Sequence, residues 1–129
     1  MSYENGMNLQ TFEASADLSA QQHMAMTLDS SKQLDEAAST ETCIGILQNK
    51  PAAQGRAGSV AVVGSICKAQ VTGTIAVMDR LGVSPITAGV LVTTTLDTIN
   101  YIATALEART GDGTTGTISV LVTPGMVAA

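Results

Sequence analysis

The sequence predicts an all-β protein, a small β-barrel or sandwich of short antiparallel strands with an extended N-terminal arm. Three observations carry this. Apolar runs are short and end in clusters of Gly, Pro, Asn, Asp and Ser, the pattern of strands joined by tight turns. Thr and Gly are plentiful, and charged residues make up only 13% of the chain, which suits pleated half-buried surfaces better than a solvated helical bundle. The aromatics are Tyr3, Phe12 and Tyr101 alone, with no Trp, so aliphatic residues and six methionines must fill the core. At 129 residues the chain is most simply one domain, long enough to bury roughly two-thirds of its unfolded surface.

Residues 1–13 read as an arm ahead of a single β-rich domain, 14–129. Asn5-Gly6 is a turn signal, and Tyr3, Met7, Leu9 and Phe12 follow no helical or strand period. Two readings stand: a frayed terminus, or an extended arm that lies on a neighbouring subunit. Two of the three aromatics fall in this stretch, which a solitary disordered tail would rarely carry.

Residues 23–28 alternate, with Met24, Met26 and Leu28 on one face and His23, Ala25 and Thr27 on the other, as in a half-buried strand. Asp29-Ser30-Ser31-Lys32 is a turn, Gln33-Leu34 begins a return strand, and 35–42 is a loop. Cys43-Ile44-Gly45-Ile46-Leu47 is a buried strand stopped by Gln48-Asn49-Lys50-Pro51, since Pro51 lacks an N–H and biases Lys50 toward extended backbone. Residues 59–71 read as one long β segment, with a bulge or bend at Gly64. Residues 75–81 favour strand or turn, because Gly82 and Pro85 follow. Short strands are expected over 83–87 and 90–95. Residues 100–109 have helix propensity, but their flanks favour a strand. Gly111 to Gly116 is a hairpin loop. TISVLVT (117–123) is the clearest strand, ended by Pro124-Gly125.

Charge and motifs exclude most chemistry. Six cations against eleven acids leave a net charge of −5, and the cations are scattered, which disfavours direct nucleic-acid binding. No apolar run approaches the roughly 20 residues of a membrane-spanning helix. The first ten residues lack a signal-peptide pattern, so synthesis inside the cell is expected. Cys43 and Cys67 match no zinc spacing, and two Cys with one His do not complete a structural site. They are expected to be buried thiols, with a disulfide as the alternative. Gly111, Gly113 and Gly116 spell G-x-G-x-x-G, but a strand follows where a dinucleotide site needs a helix. His23 is the only histidine, so any nucleophile–His–acid set would have to use it. Its place on a polar strand face reads as a surface histidine. Asp79-Arg80 could form a local ion pair, worth little if exposed. No catalytic residue, metal site or cofactor is expected.

The run LSAQQHMAMTLDSSKQL (18–34), then IGILQNKPAAQG (44–55), a long strand, ALEA (105–108), a Gly-rich hairpin and ISVLVTP (118–124) resembles the capsid decoration (cement) proteins of tailed phages. The resemblance covers about residues 14–124, and its most specific part is residues 44–52. It implies a small all-β protein, made in the host cytoplasm, that docks on the outer surface of the phage head. There it would act as a homotrimer on the major capsid protein, bridging capsomers against the pressure of packaged DNA. Tyr3, Met7, Leu9, Phe12, Asn49 and Lys50 are the expected contact residues. Deletion of residues 2–12 is expected to abolish head binding and leave the fold intact. A head-fibre base or host-surface binding module is the alternative.

Overall fold

A computed structural model describes residues 8–39, 41–94 and 100–126, with residue 100 and residues 124–126 described through their backbone. The fold is all-β, with no helix among the described residues. Among the described residues, ten strands form two five-stranded units. The first is a sheet of β1 (Leu9–Glu13), β2 (Ala25–Leu28), β3 (Leu34–Glu36), β4 (Gly45–Leu47) and β5 (Ala57–Ala61), in the order β1-β5-β4-β2-β3. The second is a closed barrel of β6 (Ile66–Val71), β7 (Arg80–Val83), β8 (Leu91–Thr93), β9 (Asn100–Ala105) and β10 (Gly116–Met126), in the order β10-β6-β8-β7-β9. All pairings between strands are antiparallel except β6–β8, which meet in parallel at Val71 and Leu91.

The barrel follows from the period of two. On β10, Ile118, Val120 and Val122 point inward, opposite Ala69 and Cys67 of β6 and Ala105 and Ala103 of β9. Leu81 and Val83 of β7 and Leu91 of β8 complete the same interior. Small and large residues alternate around this interior, as a narrow barrel without aromatics requires. Residues 100–105 form a strand despite their helix propensity, because β10 and β7 flank them on both sides. Here tertiary pairing overrides a weak local preference.

The first sheet is buried on both faces. Ala25, Ile46 and Ala61 join the barrel core, whereas Met26, Leu47, Val60 and Leu34 form a second core with Ala14 and Leu18. Neighbours in sequence therefore bury opposite sides, and the expected half-buried alternation over 23–28 becomes consecutive burial at Ala25 and Met26. The sheet also curls. Ala14, just past β1, forms a parallel bridge with Leu34 of β3, and Ser15 N–H donates to Leu34 O at 3.0 Å.

Three expectations need correction. Residues 9–13 belong to the domain as edge strand β1, paired with β5 from Leu9↔Ala61 to Glu13↔Ala57. Deleting 2–12 would remove most of that strand, so only a shorter deletion spares the fold. Residues 59–71 are two strands of different units. Val62-Val63-Gly64-Ser65 turns the chain from sheet to barrel, with Gly64 at φ 88° and Ser65 N–H donating to Val62 O. Pro124-Gly125 does not end the last strand. The ladder shifts register between Val122 and Gly125 and continues to Met126, a bulge where proline cannot donate.

Candidate interaction surface

The edge of the first sheet is set by β1. Asn8 O accepts from Val62 N–H at 3.0 Å, and Ala14 N–H donates to Arg56 O at 2.8 Å. Asn8 and Ala14 are six residues apart, so the even residues of β1 turn their backbone groups toward β5. In an antiparallel ladder the odd ones then face away. Ser15 obeys this phase by bonding β3. Leu9 and Thr11 have no strand on their outer side among the described residues, whereas the bridge at Ala14 brings Leu34 of β3 against the end of β1. The buried Ser65 hydroxyl anchors the start of the strand, accepting from Asn8 N–H at 2.8 Å and donating to Asn8 O at 3.2 Å.

Three apolar side chains close to that anchor along the chain are exposed. Leu9 is 46% exposed, Val63 63% and Ile66 42%. All three lie within two residues of the Asn8–Ser65 contact. Of the sequence-predicted contact residues, Leu9 is thus at the surface. Phe12 is partly buried against the second core, so most of its apolar surface is spent within the fold. Tyr3 and Met7 lie outside the described residues.

Asn49 and Lys50 stand at the far end of β4, in the loop to β5. Asn49 spans that loop with its amide, donating to Ala57 O at 3.0 Å and accepting Ser59 N–H at 2.9 Å. Both bonds stay within the loop and β5, and the residue is half-buried. Pro51 is buried, and its carbonyl accepts from Leu18 N–H at 2.8 Å. Lys50 and residues 52–56 are exposed. The loop is thus a firmly held projection that carries Lys50 and Arg56.

Sequence reasoning missed the seam between sheet and barrel. His23 sits in the turn before β2, half-buried, at φ 69°. It is not a surface histidine on a strand. Its N–H donates to Leu47 O and its carbonyl accepts from Gln70 N–H. Gln22, Gln48 and Gln70 were the available signal, since their side-chain amides bond across this junction.

The remaining groups hold the fold. Cys67 is buried and Cys43 half-buried, both as free thiols. Burial pushes each thiol up to about 11, which leaves them protonated and poorly nucleophilic. The expected Asp79–Arg80 pair does not form. Asp79 instead accepts from Ala76 N–H at 2.9 Å and from the Thr93 hydroxyl at 3.2 Å, and the Arg80 guanidinium lies 5.2 Å above the Tyr101 ring. Arg109 ties two loops together through Gly73 O, Thr114 O and Asp112. Among the described residues no three His, Cys, Asp or Glu side chains are placed to hold a metal ion. Among the described residues no helix is long and apolar enough to cross a membrane. No protein-family model matches the chain, and no curated protein sequence matches it.

Proposed function

We propose that this chain is a capsid decoration protein of a tailed phage, one that binds the outside of the head and bridges neighbouring capsomers. The observation that carries the reading is the exposed apolar group Leu9, Val63 and Ile66 beside the point where residues 1–7 join β1. A surface of this kind beside a short segment bearing Tyr3 and Met7 suits a contact made partly by the arm and partly by the folded domain. The partners are the major capsid protein and other copies of this chain, as a homotrimer at three-fold positions. The firmly held 50–56 loop is a second contact, through Lys50. Each copy needs only modest affinity, because many copies on one lattice act together.

The test mixes the purified protein with expanded heads that lack it, then sediments and images them by electron microscopy. Ordered density at three-fold positions is expected. Deleting residues 2–7, or Val63→Asp, should reduce occupancy while the circular dichroism stays that of the parent. A protein that stays in the supernatant would overturn the reading and favour a host-surface binding module, for which a glycan-binding assay is the next step.

A further inference from the structure

We propose that the turn over residues 21–24 is an acid-sensitive latch between the first sheet and the barrel, with His23 as the residue that senses the proton. The latch does not depend on what the protein binds. It begins with the backbone of a single residue. His23 N–H donates to Leu47 O of β4 at 2.6 Å, and His23 O accepts Gln70 N–H of β6 at 2.7 Å. One residue thereby bonds both units. Side-chain amides surround it. Gln70 Nε2 donates to Gln22 O at 2.8 Å, Gln22 Nε2 to Gln48 O at 2.9 Å, and Gln48 Nε2 to Lys68 O at 3.4 Å. The left-handed backbone at His23 is uncommon for a non-glycine residue, and it persists only while its surroundings hold it.

The ring is built to be neutral. His23 Nδ1 is buried and has no hydrogen-bond partner among the described residues. A neutral imidazole can keep a bare lone pair there, but an imidazolium carries N–H at both nitrogens. Protonation would therefore place an unpaired charged donor in a buried site, which is the more costly arrangement. The charged groups that face the ring are Lys50, from the β4–β5 loop, and Lys68, from β6. Glu107, the acid nearest to Lys68, is already engaged by Lys68 Nζ at 3.2 Å and Ser119 N–H at 2.8 Å. Burial first, and the two lysines together with it, hold His23 below the ordinary histidine value, against the opposing hydrogen bond that the ring donates to the Lys68 backbone. The sign follows from linkage. The closed latch is fully favoured above the open-state value of 6.5 and is weakened progressively as pH falls below it. Opening frees the ring to take a proton in water.

Backbone hydrogen exchange on the full chain, corrected for intrinsic rate, reads this residue by residue. Between about pH 7.5 and about pH 5, the amides of Gln70 and His23 should lose protection several-fold, while those of Val120 and Ala105 keep theirs. His23→Asn tolerates the left-handed backbone and should show no such loss at Gln70. Equal protection at both pH values, an equal loss in His23→Asn, or a loss spread evenly into the barrel would each overturn the latch. If His23→Asn does not fold, the proton titration of the His23 ring in the parent protein decides. A midpoint below that of an ordinary histidine supports the latch, and one at or above it overturns it.

Discussion

The two five-stranded units satisfy their backbones by different means. The barrel closes, so each of its strands has a neighbour on either side and the eleven-residue β10 runs along both β6 and β9. The first sheet is open, and two of its strands have only three residues. It relies on side chains where the ladder is short. Asn49 bonds two backbone groups of β5, and Asp29 accepts the N–H groups of Ser31 and Gln33 in the β2–β3 turn. It also gains burial from both faces, one against the barrel and one against its own small core. Closing a ladder removes edges outright, whereas an open sheet needs cover and local polar bonds to reach the same end.

The largest expected difference between the units is at their close-packed glycines. A Cβ at Gly45 would run into the carbonyl oxygen of Ala61 and approach Val60 Cγ1 to 2.6 Å. Neither can step aside inside a sheet buried on both faces. Gly45→Ala should cost about 3 kcal/mol, read as a lowered midpoint in urea. A Cβ at Gly116 meets the Arg109 guanidinium, at 2.9 Å from Nε, and the tip of a side chain can move. Gly116→Ala should cost about 1 kcal/mol. Equal costs would break the contrast between a sheet clamped on two faces and a barrel with an adjustable rim.

A middle-sized effect is expected at Asn49. Asn49→Ala removes a donor and an acceptor from the loop after β4 and should cost about 1–2 kcal/mol, measured by thermal unfolding. Asn49→Asp keeps the acceptor for Ser59 N–H and loses the donor to Ala57 O, so it should fall between parent and Ala variant. If Asn49→Ala unfolds like the parent, the open sheet does not depend on its side chains in the way described.

The smallest effect is electrostatic and belongs to the barrel. Bonds from Ser119, and then Lys68, hold the exposed Glu107 carboxyl down to about 2. Its folded value is below its unfolded one of 4.5. Its contribution is therefore complete above that value and is lost as pH falls toward 2. Salt screens such a surface pair, so Glu107→Gln should flatten only a shallow acid limb of the Tm profile. That limb lies well below the pH range of the His23 latch. The two substitutions thus separate acid sensitivity of the barrel from that of the seam.

The all-β class was legible from short apolar runs and their turn residues, because a period of two and Gly, Pro and Asp punctuation act locally. The 117–123 strand was the clearest for the same reason. The arm was misread at Leu9 to Glu13, because an edge strand such as LQTFE has one exposed face and no strong alternation. Gly64 read as a bulge or bend within one strand, because the apolar residues on both sides are equally β-prone. Only the partners reveal that they belong to different units. Of the expected contact residues, Leu9 and Lys50 are exposed. Val63 and Ile66 went unread because exposure is not written in an apolar side chain.

By itself the sequence determined the strand class, the acidic charge, the stop at Pro51 and the absence of a known catalytic motif. These depend on residue chemistry and near neighbours. Only the tertiary structure decided which strands share a sheet, that the second unit closes into a barrel and that the first is buried on both faces. It also decided that His23 bonds two units at once. Each of these depends on which distant segments meet, since side-chain burial and backbone pairing are set by partners far away in the chain.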